Sequence, residues 1–157
     1  MFDGCVIGGI VPVIRPVNHT GNHAPEGGTA VLTDAVRSDV NAHNHAISTP
    51  IRQVVRELID LVGATTVAAL TGVKETRAVQ QWMVDREPQR PHVLRFALQL
   101  LSMIVATKDS ATAQAWLHGA NPALDGQTPI TLFRTRPLEE IQRPLLSAAR
   151  AFASRDE

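Results

Sequence analysis

Between Thr71 and Arg95 the chain carries Lys74, Thr76, Arg77, Gln80 and Gln81, followed by Arg86, Arg90 and Arg95. These side chains can hydrogen-bond to planar, acceptor-rich edges. A guanidinium pairs with O6 and N7 of guanine, and a glutamine amide with N6 and N7 of adenine, both in the major groove. Arginines just beyond such a set suit phosphates, which fix position without reading sequence. From Thr71 to Arg95, five Lys/Arg stand against three Asp/Glu. That excess is modest, so electrostatic steering toward a polyanion is expected to be weak and salt-sensitive.

Other chemistries find less support. Gly8-Gly9 and Gly27-Gly28 lack the spacing and flanks of a phosphate loop. Glu139 and Glu140 point to different faces of a helix, and His92 and His118 stand isolated. No catalytic residue, enzymatic activity or cofactor is expected. Four of the six histidines, His19, His23, His43 and His45, fall in one Gly/Asn/Pro-rich stretch, without the acid or cysteine cluster a metal site needs. Cys5 is the only cysteine, which excludes an internal disulfide. The apolar run from Val6 to Ile14 is too short to span a bilayer, is broken by Gly8, Gly9 and Pro12, and has no basic region before it. The expectation is a soluble, cytoplasmic protein without membrane contact. Formal net charge is zero, and a core must come from Ala, Val, Leu and Ile, because aromatics are only 4% of 157 residues.

The elements that must position the basic and amide side chains are helical. Ile51, Val54, Val55, Leu58, Ile59 and Val62 form one amphipathic stripe, with Thr49 and Pro50 as start signals and Gly63 as a stop. Thr65 or Thr66 opens a short helix that Gly72 ends. A third helix runs from about Glu75 to Val84, burying Val79 and Trp82. A long apolar helix from about His92 to Thr107 follows, and Ser110 caps another that ends at Gly119. Pro144 is expected to break the last segment, leaving a turn at Leu138 to Gln142 and a helix from Pro144 to Phe152. Nothing alternates with a strand period, so the fold class is all-α. Residues 1–47 read as a weakly ordered arm, with a short helix around Val31 to Val40; 48–107 form a helix-turn-helix region and 108–157 a C-terminal region.

In "TTVAALTGVKETRAVQQWM", two short helices cross at the small Ala68, turn at Gly72, and are held down by Val79 and Trp82. This segment resembles the Xre-type helix-turn-helix family. The resemblance implies that Lys74, Thr76, Arg77, Gln80 and Gln81, with Arg86 and Arg90, meet operator DNA.

Further on, "AWLHGANPALDGQTPITLF" fixes turn chemistry densely. Gly119 suits a left-handed helix cap, Asn121-Pro122 bars continued helix, Asp125-Gly126 reverses the chain, and Thr128-Pro129 restarts a helix. The expected product is a rigid elbow that sets Leu124, Ile130, Leu132 and Phe133 against the helices while leaving Leu124, Ile130 and Phe133 semi-exposed as apolar surface for a partner, with Trp116 as its buried brace. With Trp116-Leu117, Asn121-Pro122, Leu124, Gly126, Pro129 and Leu132, it is similar to the toxin-binding domain of Xre/MbcA/ParS-type antitoxins. The resemblance spans about Pro50 to Phe152. It implies a homodimeric antitoxin that represses its own operon and neutralises a cognate toxin, usually a RES-domain enzyme that consumes NAD. Toxin contacts are then expected at Leu124, Gly126, Pro129, Ile130 and Phe133, and at Arg150 and Arg155 near the chain end, which in the family blocks the toxin's active site. A stand-alone transcriptional regulator, or an interaction protein that has lost DNA recognition, remain alternatives.

Overall fold

Val54, Val55, Leu58 and Val62 recur at helical spacing, and all four are buried on one face of a helix spanning Ile51–Val62. The computed structural model describes residues 27–155, with side chains from Asp34 onward apart from Ala35. Over that range the fold is all-α. In order it runs α1 (Gly27–Ser48), α2 (Ile51–Val62), α3 (Ala64–Thr71), α4 (Thr76–Val84), α5 (Pro91–Val105) and α6 (Ser110–His118). A 3-10 turn (Pro122–Leu124), α7 (Pro129–Thr135) and α8 (Leu138–Ala153) complete it. Cys5, the Val6 to Ile14 run, His19 and His23 lie outside the described residues.

Helix α5 organises the rest. Pro91 at its first turn presets a helical φ, and buried positions from Val93 to Ile104 surround its axis. A helix apolar on nearly every side belongs at the centre, and α1, α2, α3, α6 and α8 all pack on α5. One apolar core runs from Ala42 on α1 to Ala149 on α8. It draws on residues both before and after Thr107.

The expectation of a weakly ordered arm through residue 47 needs correction from Gly27 onward, because this stretch is the 22-residue α1. Ala42 and Ala46 are buried against the core, and their small side chains bring α1 close to α5. The remaining ties are polar. Arg95 on α5 donates to the carbonyl oxygens of Ala46 (2.6 Å), Ile47 (3.3 Å) and Thr49 (2.6 Å). Those carbonyls cluster at the end of α1, where the last groups lack intrahelical partners and the helix dipole favours a cation. Arg95 is therefore a C-terminal clamp and not the expected phosphate contact. Thr49, expected to cap α2, instead donates its hydroxyl to the His45 carbonyl at 2.6 Å. His45 Nε2 lies 2.6 Å from Glu57 on α2, and Arg150 on α8 pairs with Asp39 on α1. A helix fastened to the core by alanines and cross-links has almost no core-facing apolar stripe to read.

Three local expectations also change. Helix α8 continues through Pro144 without interruption. Pro144 is exposed, while Ile141, Leu145, Ala148 and Ala149 anchor the helix on both sides of it. The missing N–H leaves the Glu140 carbonyl without its helical donor, and water can serve it on the exposed face. Pro144→Ala restores that bond and should raise stability by about 1–3 kcal/mol in chemical denaturation; an unchanged or lower midpoint would mean that the ring itself packs usefully. Gly119 has φ −79°, not the left-handed cap conformation. Asp109, rather than Ser110, caps α6, its carboxylate accepting the Thr112 N–H at 2.6 Å. That backbone bond, helped by the Thr112 hydroxyl, holds the Asp109 carboxyl below its ordinary pKa. A depressed folded pKa makes the cap's contribution present above the unfolded value and lost as pH falls through the folded one.

Candidate nucleic-acid interface and partner face

The turn between α3 and α4 is built around Gly72, at φ +80° and ψ 10°. A left-handed residue here lets two N–H groups fold back on α3: Gly72 donates to the Ala69 carbonyl and Val73 to that of Ala68. The Thr71 hydroxyl, itself buried, donates to Ala68 O at 3.1 Å. Ala68 is buried where α3 approaches its neighbours, and Val79 and Trp82 (0% and 3% exposed) hold α4 against α2 and α3. This is the expected pair of short helices joined by a tight glycine turn.

With that face pinned, α4 turns the rest outward. Lys74, Thr76, Arg77 and Gln80 are exposed, and Gln81 is half-buried beside them. Arg86, just past the helix, donates to the Gln81 side-chain oxygen at 3.2 Å, which orients both groups. Arg90 is placed differently. It is half-buried and donates to the Phe133 carbonyl at 3.2 Å, tying the start of α5 to α7. The structure thus gathers Lys74, Thr76, Arg77, Gln80, Gln81 and Arg86 on one surface and gives Arg90 a structural bond. Sequence reading missed Val84. It is 70% exposed at the end of α4, and its spacing of four from Gln80 was the signal.

The elbow exists, but most of its apolar residues are buried. Asn121 accepts the Ala123 N–H at 3.0 Å and opens the 3-10 turn. Asp125 and Gly126 both adopt positive φ, 55° and 75°. Thr128 caps α7 by accepting the Thr131 N–H, with Pro129 at the first turn. Leu124, Pro129 and Phe133 are buried and Ile130 is half-buried, and Phe133 lies 5.9 Å from the Phe96 ring. Leu124, Leu132 and Phe133 pack on the helices as expected, but Leu124 and Phe133 are buried too fully to offer a partner the semi-exposed apolar surface expected of them. The expected contact Pro129 is buried as well; Ile130 alone stays half-exposed. What the elbow presents is a cleft of about 180 Å³ against α8, between Asp125, Gln127, Arg136, Glu140 and Pro144, with Leu124, Leu132 and Ile141 beneath. Arg136 and Glu140 pair across one helical turn at 3.5 Å.

The other expected toxin contacts lie elsewhere. Arg150 sits roughly 15 Å along α8 from Glu140, at 1.5 Å per residue, and is paired with Asp39. The backbone near Arg155 is fastened to the end of α5: Thr107 donates to Ala153 O at 3.0 Å and Lys108 to Arg155 O at 2.7 Å. Among the described residues, no group of three or more His, Cys, Asp or Glu side chains is placed to hold a metal, and no helix is long and apolar enough to cross a membrane. No family model matches the chain, and neither a curated protein nor a solved structure matches it.

Proposed function

We propose that the protein is an antitoxin that binds duplex DNA through α4, represses its own operon and neutralises a partner toxin, a RES-domain NAD-consuming enzyme by family resemblance. One observation carries the DNA reading: a glycine-turned helix pair buries Val79 and Trp82 and leaves Lys74, Thr76, Arg77 and Gln80 together in solvent. Arg77 and Gln80 read base edges, and Arg86 holds a phosphate. Toxin recognition belongs to the elbow cleft, whose paired Arg136 and Glu140 rim an apolar floor. Helix-turn-helix proteins commonly read two half-sites as dimers. Val36, Val40 and Ile47 supply an exposed apolar stripe on α1 for a second copy.

Titration of the protein against the DNA upstream of its own gene tests this reading. Arg77→Ala should cost about 1–3 kcal/mol at one base position, while Arg86→Ala should weaken all sequences alike and flatten the salt slope. Equal affinity of both variants and wild type for that DNA would sink the assignment. A stand-alone regulator would bind the DNA yet fail to co-purify with the product of the neighbouring gene.

A further inference from the structure

We infer that Val84 is a sequence-reading residue of α4 and recognises the 5-methyl group of a thymine. The inference rests on the DNA-binding reading above and adds the fourth position of its reading face. Arg77, Gln80, Gln81 and Val84 stand at i, i+3, i+4 and i+7, which places them along one side of the helix. A helix lying along the major groove reads bases with that spacing, as the third helix of the homeodomain does. Over seven residues α4 rises about 10 Å, roughly three base-pair steps at 3.4 Å each.

A single exposed valine is ordinary. Val84 differs in its register. At 70% it is the most exposed large apolar side chain among the described residues, and it continues the row that Arg77 and Gln80 begin. Val79 and Trp82 already hold α4 on its opposite side, so Val84 adds nothing to the packing of the helix. A branched alkyl group has no hydrogen bond to give a base edge, and the one apolar feature in the major groove is the thymine methyl. Arg77 and the glutamines then account for the polar positions, and Val84 for a thymine about three steps from the guanine that Arg77 reads.

The probe is the duplex that the full chain enriches from a randomised library, with each thymine replaced in turn by deoxyuridine, which removes only the methyl. For the wild type, one thymine per half-site should lose about fourfold in affinity on replacement, the effect of one buried methyl. Val84→Ala should keep the wild-type melting temperature and oligomeric state, bind the parent duplex about fourfold more weakly, and no longer distinguish thymine from deoxyuridine there. Indifference of the wild type to every replacement overturns the inference while leaving DNA binding intact. Discrimination that persists in Val84→Ala assigns the methyl to another residue and overturns it too. A changed oligomeric state in the variant makes Val84 a contact between copies instead. Failure to enrich any sequence refutes the DNA-binding reading itself, and this inference with it.

Discussion

A chain shortened to begin at Pro50 should lose about 3–5 kcal/mol of stability relative to one beginning at Gly27, because the apolar surface that α1 covers on α5 returns to water at about 25 cal/mol per Å². The shortening removes Ala42, Ala46 and Thr49 from the buried set and strips cover from α5. It also takes away the Ala46, Ile47 and Thr49 carbonyls, so the Arg95 guanidinium exchanges its three protein acceptors for water. For a domain of this size each kcal/mol shifts the melting temperature by about 2–4 °C, so the midpoint should fall by roughly 6–20 °C. Arg95→Met, which fills similar space without the charge, should lower stability in the full-length protein but change little in the shortened chain, where the carbonyls it clamps are gone. Equal melting of the two chains would mean that α1 rests on the core without stabilising it.

Helix α1 also marks where the sequence ceases to be readable. Helices α2 to α6 announce themselves through apolar spacing and glycine or proline punctuation, and the structure starts and stops them within a few residues of those signals. Helix α1 touches the core through alanines, and its anchoring bonds come from Arg95, Glu57 and Arg150, at distances in sequence that no local pattern exposes. Pro144 misleads for the opposite reason. Its local signal is strong, yet the buried residues on both sides of it hold one continuous helix. In the candidate site, the outward set on α4 was legible because Val79 and Trp82 fix its phase. The elbow's turn chemistry was legible too, at Asn121, Gly126 and Thr128. Which of its apolar residues face inward was not, because a seven-residue helix between two turns has no periodicity long enough to set its rotation.

That distinction gives the second large effect: Phe133→Ala should destabilise the protein by about 3–5 kcal/mol, as a core residue does. Its ring is fully buried, it lies against Phe96, and its carbonyl receives Arg90. The cost therefore combines lost burial with a cavity at the junction of α5 and α7. Under the antitoxin function proposed above, loss of toxin rescue by this variant would say nothing about contact, since the elbow would loosen with the core. Truncation after Ser147 is equally unsuited, because it removes the buried Ala148 and Ala149 and the Phe152 ring that packs on Trp116. Gly126→Val is the cleaner comparison. No neighbour lies within 4 Å of an added Cβ, so the perturbation comes from φ +75° alone and stays at the elbow's rim. It should cost far less stability than Phe133→Ala and still impair co-purification with the toxin. If Phe133→Ala instead melts like the wild type while losing the toxin, its ring faces a partner and not the core. If Gly126→Val binds the toxin undiminished, the contact lies away from the elbow, and α8 beyond Pro144 becomes the place to look.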